Sequence, residues 1–255
     1  MGAWRTLHFF DHETFIREMS PKLRDLKFLN ETFENPYFKR YLKRTNQEKE
    51  KVLTNIYNIA DSLNDDLKTH PELFTIETAK KQAHEKYDAF SSKKYRLYEA
   101  FISKNNLGIE AFEYFMNYII FSTYADFIPY FRFGKSLLES FTRATKNSIS
   151  EELLSRISGL DYGSIYERFD DGIMTWLSYE EVELFYLDSE NIIPKDKDCM
   201  VYVNEFKIFI KYAYDNKLGL IAMKDFLEPV FGLKSKISSF ENYAVNEKYN
   251  FIHFE

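Results

Sequence analysis

Five side chains near the two ends of the chain have the types and spacing that acid–base or metal chemistry would use. His8, Asp11, His12 and Glu13 fall within six positions, and His253 stands in a tripeptide, Ile252-His253-Phe254, that repeats the pattern of Leu7-His8-Phe9. Imidazole and carboxylate together can share a proton near neutral pH or ligate a divalent metal. If both tripeptides were strands lying side by side, His8, Asp11, His12 and His253 would form a site for metal-dependent hydrolysis or nuclease-like chemistry. The competing reading is a small closing sheet whose imidazoles are satisfied by backbone.

Other fragments of known chemistry are incomplete. Gly134-Lys135-Ser136 spells the end of a phosphate-binding loop, but Pro129 stands where that loop needs a glycine, and Tyr130-Phe131-Arg132-Phe133 is too bulky to wrap a phosphate in backbone amides. His84-Glu85 is followed by Asp88 where a zinc-protease helix carries its second histidine. Asp170-Asp171-Gly172 lacks the later carboxylates of a calcium loop. Cys199 is the single cysteine, which excludes an internal disulfide and a cysteine cage from one chain. The sequence therefore gives no cofactor and no metal, and leans away from an enzyme.

The strongest pattern is charge. Between Glu151 and Met200 thirteen acidic residues face four basic ones, a net of −9 in a chain whose net is −6, so the remainder carries +3. Aromatic residues are interleaved with these acids. Carboxylates steer a basic partner and reject others, while Tyr and Trp give contact area at small entropic cost. The candidate partner-binding residues are Asp170, Asp171, Trp176, Tyr179, Glu180, Glu183, Tyr186, Asp188 and Glu190. A solvated acidic face over a helical core is the plain alternative.

Two basic clusters, around Lys39 to Lys51 and Lys80 to Arg96, are diluted by Glu48, Glu50, Glu77 and Glu85. With a pI near 5.6, ion-paired solvent faces account for them better than nucleic acid does.

The elements that must position these residues read as helices. There are 25 Phe and 19 Tyr against only 8 Gly and 6 Pro, a core of large rings on a chain with few sharp turns. Trp4 to Phe10 has strand composition. Asp11 caps a helix to Met19, and Asn35-Pro36 starts another. Thr45 and Glu48 have capping-box spacing before the stripe Val52, Ile56, Ile59, Leu63 and Leu67. Further helices are expected over 75–107, as a central buried element over 109–127 ended by Pro129, and over 134–144. Ser148 with Glu151 and Ser178 with Glu181 are capping pairs, the second opening Tyr179 to Tyr186. A loop over 188–198 leads to a long helix from Met200 to Asn216, which Leu218-Gly219-Leu220 terminates. One or two helical turns are expected over 226–231, and strand composition returns over 249–254.

The expected architecture is thus mainly α, a multi-helix globule closed by a small β element that pairs the N- and C-terminal segments. It is one domain over 1–255, with two packed lobes, 1–146 and 147–255, as the only division the composition allows. The most apolar stretch, Tyr114 to Ala125, is about 12 residues where a membrane span needs about 20, and the N-terminus lacks the pattern of a secretory signal, so no membrane and a cytoplasmic location are expected. A compact acidic protein without machinery of its own has the physical type of an immunity protein that neutralises a basic toxin. The oligomeric state is not encoded in any of these features.

Overall fold

The computed structural model describes residues 4–58, 106–134, 149–158, 172–194, 197 and 200–224. Strand β1 (Trp4–Phe10) leads into a single turn, α1 (His12–Thr14), then a π-helical turn (Phe15–Met19) and a 3-10 turn (Ser20–Arg24). Helices α2 (Leu26–Phe33) and α3 (Pro36–Thr45) follow, then helix α4 within residues 49–58. Helix α5 (Asn106–Ile119) runs through a second π-helical turn (Ile120–Tyr124) into β2 (Ala125–Gly134). Beyond it come α6 (Ile149–Ser158), β3 (Gly172–Leu177), α7 (Tyr179–Leu187), α8 (Met200–Asp215) and β4 (Gly219–Lys224).

The expectation of a mainly α globule is corrected by the sheet at the centre of the described residues. Four antiparallel strands lie in the order β2-β1-β4-β3, so β1 is bonded along both edges. Arg5 to Phe10 pair with Lys224 to Gly219 on one side, and Trp4 to His8 pair with Gly134 to Tyr130 on the other. β2 and β4 thus occupy both edges of β1, and residues 249–254, the segment expected to pair with it, lie outside the described residues. The strands also come from both sides of residue 146, so the two expected lobes share one sheet.

Alternation along the strands builds two cores. Phe10, Tyr130, Trp176, Ile221 and Met223 face a layer made by α2 to α5 and the first π turn. Leu7, Phe9, Phe131, Leu177, Leu220 and Ala222 face α6, α7 and α8. Stacked rings fill both: Phe33 on Phe38 at 4.4 Å and Tyr37 on Tyr114 at 4.4 Å in the first, Phe9 on Phe209 at 4.3 Å in the second. The result is a sheet between two helical layers.

Local signals hold where a side chain does the capping. Asp11 accepts from the Thr14 amide, Asn35 from the Tyr37 amide with Pro36 at the first helical position, and Ser178 with Glu181 make both bonds of a capping box. Thr45 behaves otherwise. Its hydroxyl donates back to the Tyr41 carbonyl at 2.9 Å, and Asn46 ends α3 in a left-handed conformation, so Thr45 closes α3 and does not open α4. The buried helix expected over 109–127 stops short: it becomes a π turn at Ile120 and a strand at Ala125. The expected helices over 75–107, 134–144 and 226–231 fall wholly or mostly outside the described residues.

Candidate interaction surface

The helix α7 is built to be held from one side. Its capping box fixes the start at Ser178, and Val182 and Phe185, both fully buried, anchor it to α8, with Phe185 5.7 Å from Phe206. Burial of two such side chains contributes about 1.5–3 kcal/mol each. Glu180, Leu184 and Leu187 are spaced i, i+4 and i+7, so they share the opposite face, and all three are exposed, Leu184 to 47% and Leu187 to 67%. Glu183 lies beside them, half-buried. A hydrogen bond with the Ser178 side chain helps hold the Glu180 carboxyl below the usual carboxylate range, so it is charged at neutral pH.

The same layer carries most of the exposed apolar surface among the described residues. Of eight large hydrophobic residues that are exposed, seven belong to α6, α7, α8 or the segment between α7 and α8. They include Ile193 at 51%, Met200 at 47% and Tyr202 at 44%. Contiguous exposed apolar surface marks contact surfaces, whereas single exposed leucines need no explanation. Tyrosines complete the flank. Tyr186 stacks on Tyr214 at 4.4 Å and 18°, Tyr179 stands 6.4 Å from Tyr214, and Lys211 lies 5.9 Å from the Tyr186 ring centroid.

The sequence-predicted partner residues divide accordingly. Glu180 and Glu190 are exposed, Tyr179, Glu183 and Tyr186 half-buried, all on or beside this layer. Glu190 also pairs with Lys207 at 3.1 Å. Trp176 is not a surface residue: it is fully buried on β3, 5.6 Å from Phe10 and 5.7 Å from Phe15, because the odd-even alternation of the strand turns it into the first core. Asp188 is occupied structurally, its carboxylate accepting from the Ser150 amide at 2.7 Å and from Asn191. Asp170 and Asp171 lie outside the described residues.

Leu184, Leu187, Ile193 and Met200 add exposed apolar surface beside the acids and rings. The signal was present in Tyr179-Glu-Glu-Val-Glu-Leu-Phe-Tyr-Leu187, where apolar residues fall on opposite sides of one helix. Apolar residues on two faces are the pattern of a helix that packs on two sides.

The histidines are not brought together. His8 is fully buried in β1 and ringed by Phe121, Phe127 and Tyr130 at 5.0 to 5.4 Å. Its Nδ1 donates to the Phe127 carbonyl and its Nε2 accepts from the Thr6 hydroxyl, so both nitrogens are used in structure. Burial pushes its pKa down to about 3, which keeps the ring neutral. His12 stands past the strand end, half-buried, 5.8 Å from the Phe10 ring, with no hydrogen-bond partner for Nε2 among the described residues. Burial lowers its pKa, opposed by Glu180, Glu181 and Asp11. Asp11 serves as the cap of α1, and His253 lies outside the described residues. Among the described residues no group of three His, Cys, Asp or Glu is placed to hold a metal, and no helix is long and apolar enough to cross a membrane. Compared with protein-family models, curated proteins and solved structures, the chain finds no match in any of the three.

Proposed function

We propose that this chain is a cytoplasmic binding protein of the immunity type, which neutralises a basic protein partner, such as a bacterial toxin, by docking it on the outward face of α7. The observation that carries this reading is the exposed pair Leu184 and Leu187 set among Glu180, Glu183 and Glu190. Apolar anchors supply affinity once water is expelled, and surrounding carboxylates choose a cationic partner and speed its approach. The net of −9 over residues 151–200 supplies the same sign of field over a longer range.

The test begins with capture of partners by the purified chain from its native lysate, followed by purification of the dominant basic protein and titration of the pair. Leu187→Glu should weaken the complex by at least about 100-fold, the scale of a buried anchor. Glu180→Lys with Glu183→Lys should slow association and reduce its salt dependence. The isolated partner should arrest growth when expressed alone and not when co-expressed with the chain, and Leu187→Glu should forfeit that protection. Unchanged binding by both variants, or a partner harmless on its own, would overturn the reading.

A further inference from the structure

The opposite helical layer holds a groove of about 520 Å³, within the usual range for small-ligand pockets. Its walls are assembled by an unusual pair of elements. The π turn Phe15–Met19 contributes Glu18 and Met19, and the π turn Ile120–Tyr124 contributes Ser122, Thr123 and Tyr124. Such turns account for well under 1% of residues in proteins and recur at functional sites, because the widened turn redirects side chains that an α-helix would leave in register. The two turns are tied together beneath the groove: Phe15 packs edge-on against Tyr124 at 5.5 Å, and the Asp11 amide donates to the Tyr124 carbonyl at 2.7 Å.

The chemistry of the lining has a direction. Phe28, Met19 and Ile119 give an apolar floor. The two carboxylates at the rim already have cations, Glu18 with Arg17 at 3.2 Å and Glu31 with Lys27 at 3.9 Å. Lys22 makes no ion pair among the described residues; its ammonium lies 5.9 Å from the Phe28 ring centroid. The Tyr124 hydroxyl likewise has no hydrogen-bond partner among the described residues, although its side chain is almost wholly buried, and Thr123 is exposed at the rim. Burial, with Glu18 and Asp11 nearby, raises the Tyr124 pKa, so this hydroxyl remains a donor. The Thr123 hydroxyl shares a hydrogen bond with Ser122 at 3.3 Å, so the uncommitted groups are the Lys22 ammonium and the Tyr124 hydroxyl, beside apolar lining.

We propose that this groove binds a small organic anion, a carboxylate on a ring or short aliphatic body, with Lys22 and Tyr124 meeting the carboxylate and Phe28 packing against the body. The site is independent of the α7 surface, since its residues belong to the other layer.

Phenylacetate, phenylacetamide and phenethylamine serve as probes of one shape and three charges, titrated into the intact chain by calorimetry with amide chemical shifts as the site readout. Phenylacetate should bind saturably at one site, shifting the amides of residues 18–32 and 118–124, with phenylacetamide at least about tenfold weaker. Lys22→Gln should abolish that preference, and Tyr124→Phe should weaken phenylacetate several-fold. Lys22 is exposed, so its variant keeps the fold. Absence of saturable binding, equal or better binding of phenethylamine, or an unchanged Lys22→Gln would each overturn the proposal.

Discussion

His8 donates through Nδ1 to the Phe127 carbonyl at 2.9 Å, across the point where β2 leaves its register with β1. His8 pairs with Tyr130 but Phe10 pairs with Ala125, so β2 bulges between those two positions, where Pro129 can donate nothing to a ladder. The imidazole reaches into the bulge and also approaches the Asp126 carbonyl at 3.2 Å. Because carbonyls only accept, Nδ1 carries the proton and Nε2 accepts from the Thr6 hydroxyl at 2.8 Å. A histidine that could have ligated metal is instead the plug of a β-bulge.

A titration follows from that position. The folded pKa of about 3 lies below the ordinary 6.5, so the unfolded chain takes up the proton first. This contribution to stability is complete above pH 6.5 and is lost as pH falls toward 3, with a slope approaching about 1.4 kcal/mol per unit. His8→Asn, which keeps an N–H donor, should lower stability yet flatten that acid limb. His8→Ala should cost about 2–4 kcal/mol, from the cavity and the orphaned bulge carbonyls. Urea denaturation from pH 4 to 8 measures both.

Glu205 should give a dependence of the opposite sign. It is 4% exposed on α8, neither carboxylate oxygen has a hydrogen-bond partner among the described residues, and burial raises its pKa from 4.5 to about 7. The folded state therefore holds a proton that the unfolded state releases. Stability is favoured below about pH 4.5 and declines as pH rises through 7. Glu205→Gln should leave the protein unchanged at pH 5 and stabilise it by about 1–3 kcal/mol at pH 8. The difference in urea midpoint between the two pH values, compared across wild type and variant, is the measurement.

Asp188 links two helices that the sequence separates by a long stretch. Burial of its carboxyl raises the pKa, but hydrogen bonds from Ser150 and Asn191 outweigh this and hold it below the ordinary value. Asp188→Ala should cost about 1–2 kcal/mol, as the loss of a helix cap does. Asp188→Asn should retain part of that. The stabilisation from the carboxylate is present above the unfolded pKa and is lost as pH falls through the folded one. The effect should appear in the thermal midpoint while partner binding is preserved, which distinguishes Asp188 from the contact residues it neighbours in sequence.

What the sequence made legible was local. Ser178 with Glu181, Asn35 with Pro36, and the stripe through Val52 and Ile56 carry their structure in adjacent residues, and each forms as read. The strands β2, β3 and β4 were missed for a physical reason. Leu220, Ile221, Ala222 and Met223 are all fully buried because helices cover both faces of the sheet, so no alternation of polar and apolar residues betrays the strand. In β2, Pro129 read as the end of a helix; it stands instead within the strand, near the bulge where His8 donates to the Phe127 carbonyl. The acidic region was legible as a composition, but its leucine anchors depend on which side of α7 the sheet occupies. Trp176 shows the reverse error, an aromatic residue assigned to a surface by the acids around it and held in the core by strand register.

The exposed leucines predict a separation of stability from binding. Leu187 is 67% exposed, so Leu187→Glu should change the unfolding free energy by less than about 0.5 kcal/mol, and Leu184→Glu, at a residue 47% exposed, by less than about 1 kcal/mol. Val182→Ala, on the inner side of the same helix, should cost about 1–3 kcal/mol. If Leu187→Glu unfolded the protein, the outer face of α7 would be part of its own core. Circular dichroism melts of the three variants decide between these.

Gly219 sits where three elements converge, and its lack of a side chain is what lets them meet. A Cβ there would lie 2.4 Å from the Leu177 carbonyl oxygen, 3.0 Å from the His12 Cβ and 3.3 Å from the Phe10 carbonyl oxygen. Two of those atoms are backbone of neighbouring strands, β3 and β1, which the sheet hydrogen bonds hold in place. They cannot retreat without opening the sheet beside the N-terminus of α7. Gly219→Ala should therefore destabilise the protein by about 2–4 kcal/mol, the range of an overpacked site with no soft neighbour. Because Leu177 precedes the cap residue Ser178, displacement of β3 should also shift α7. The variant should then weaken partner binding, which Asp188→Ala should leave intact. A Gly219→Ala protein with wild-type denaturation and wild-type affinity would show that the sheet yields at this corner.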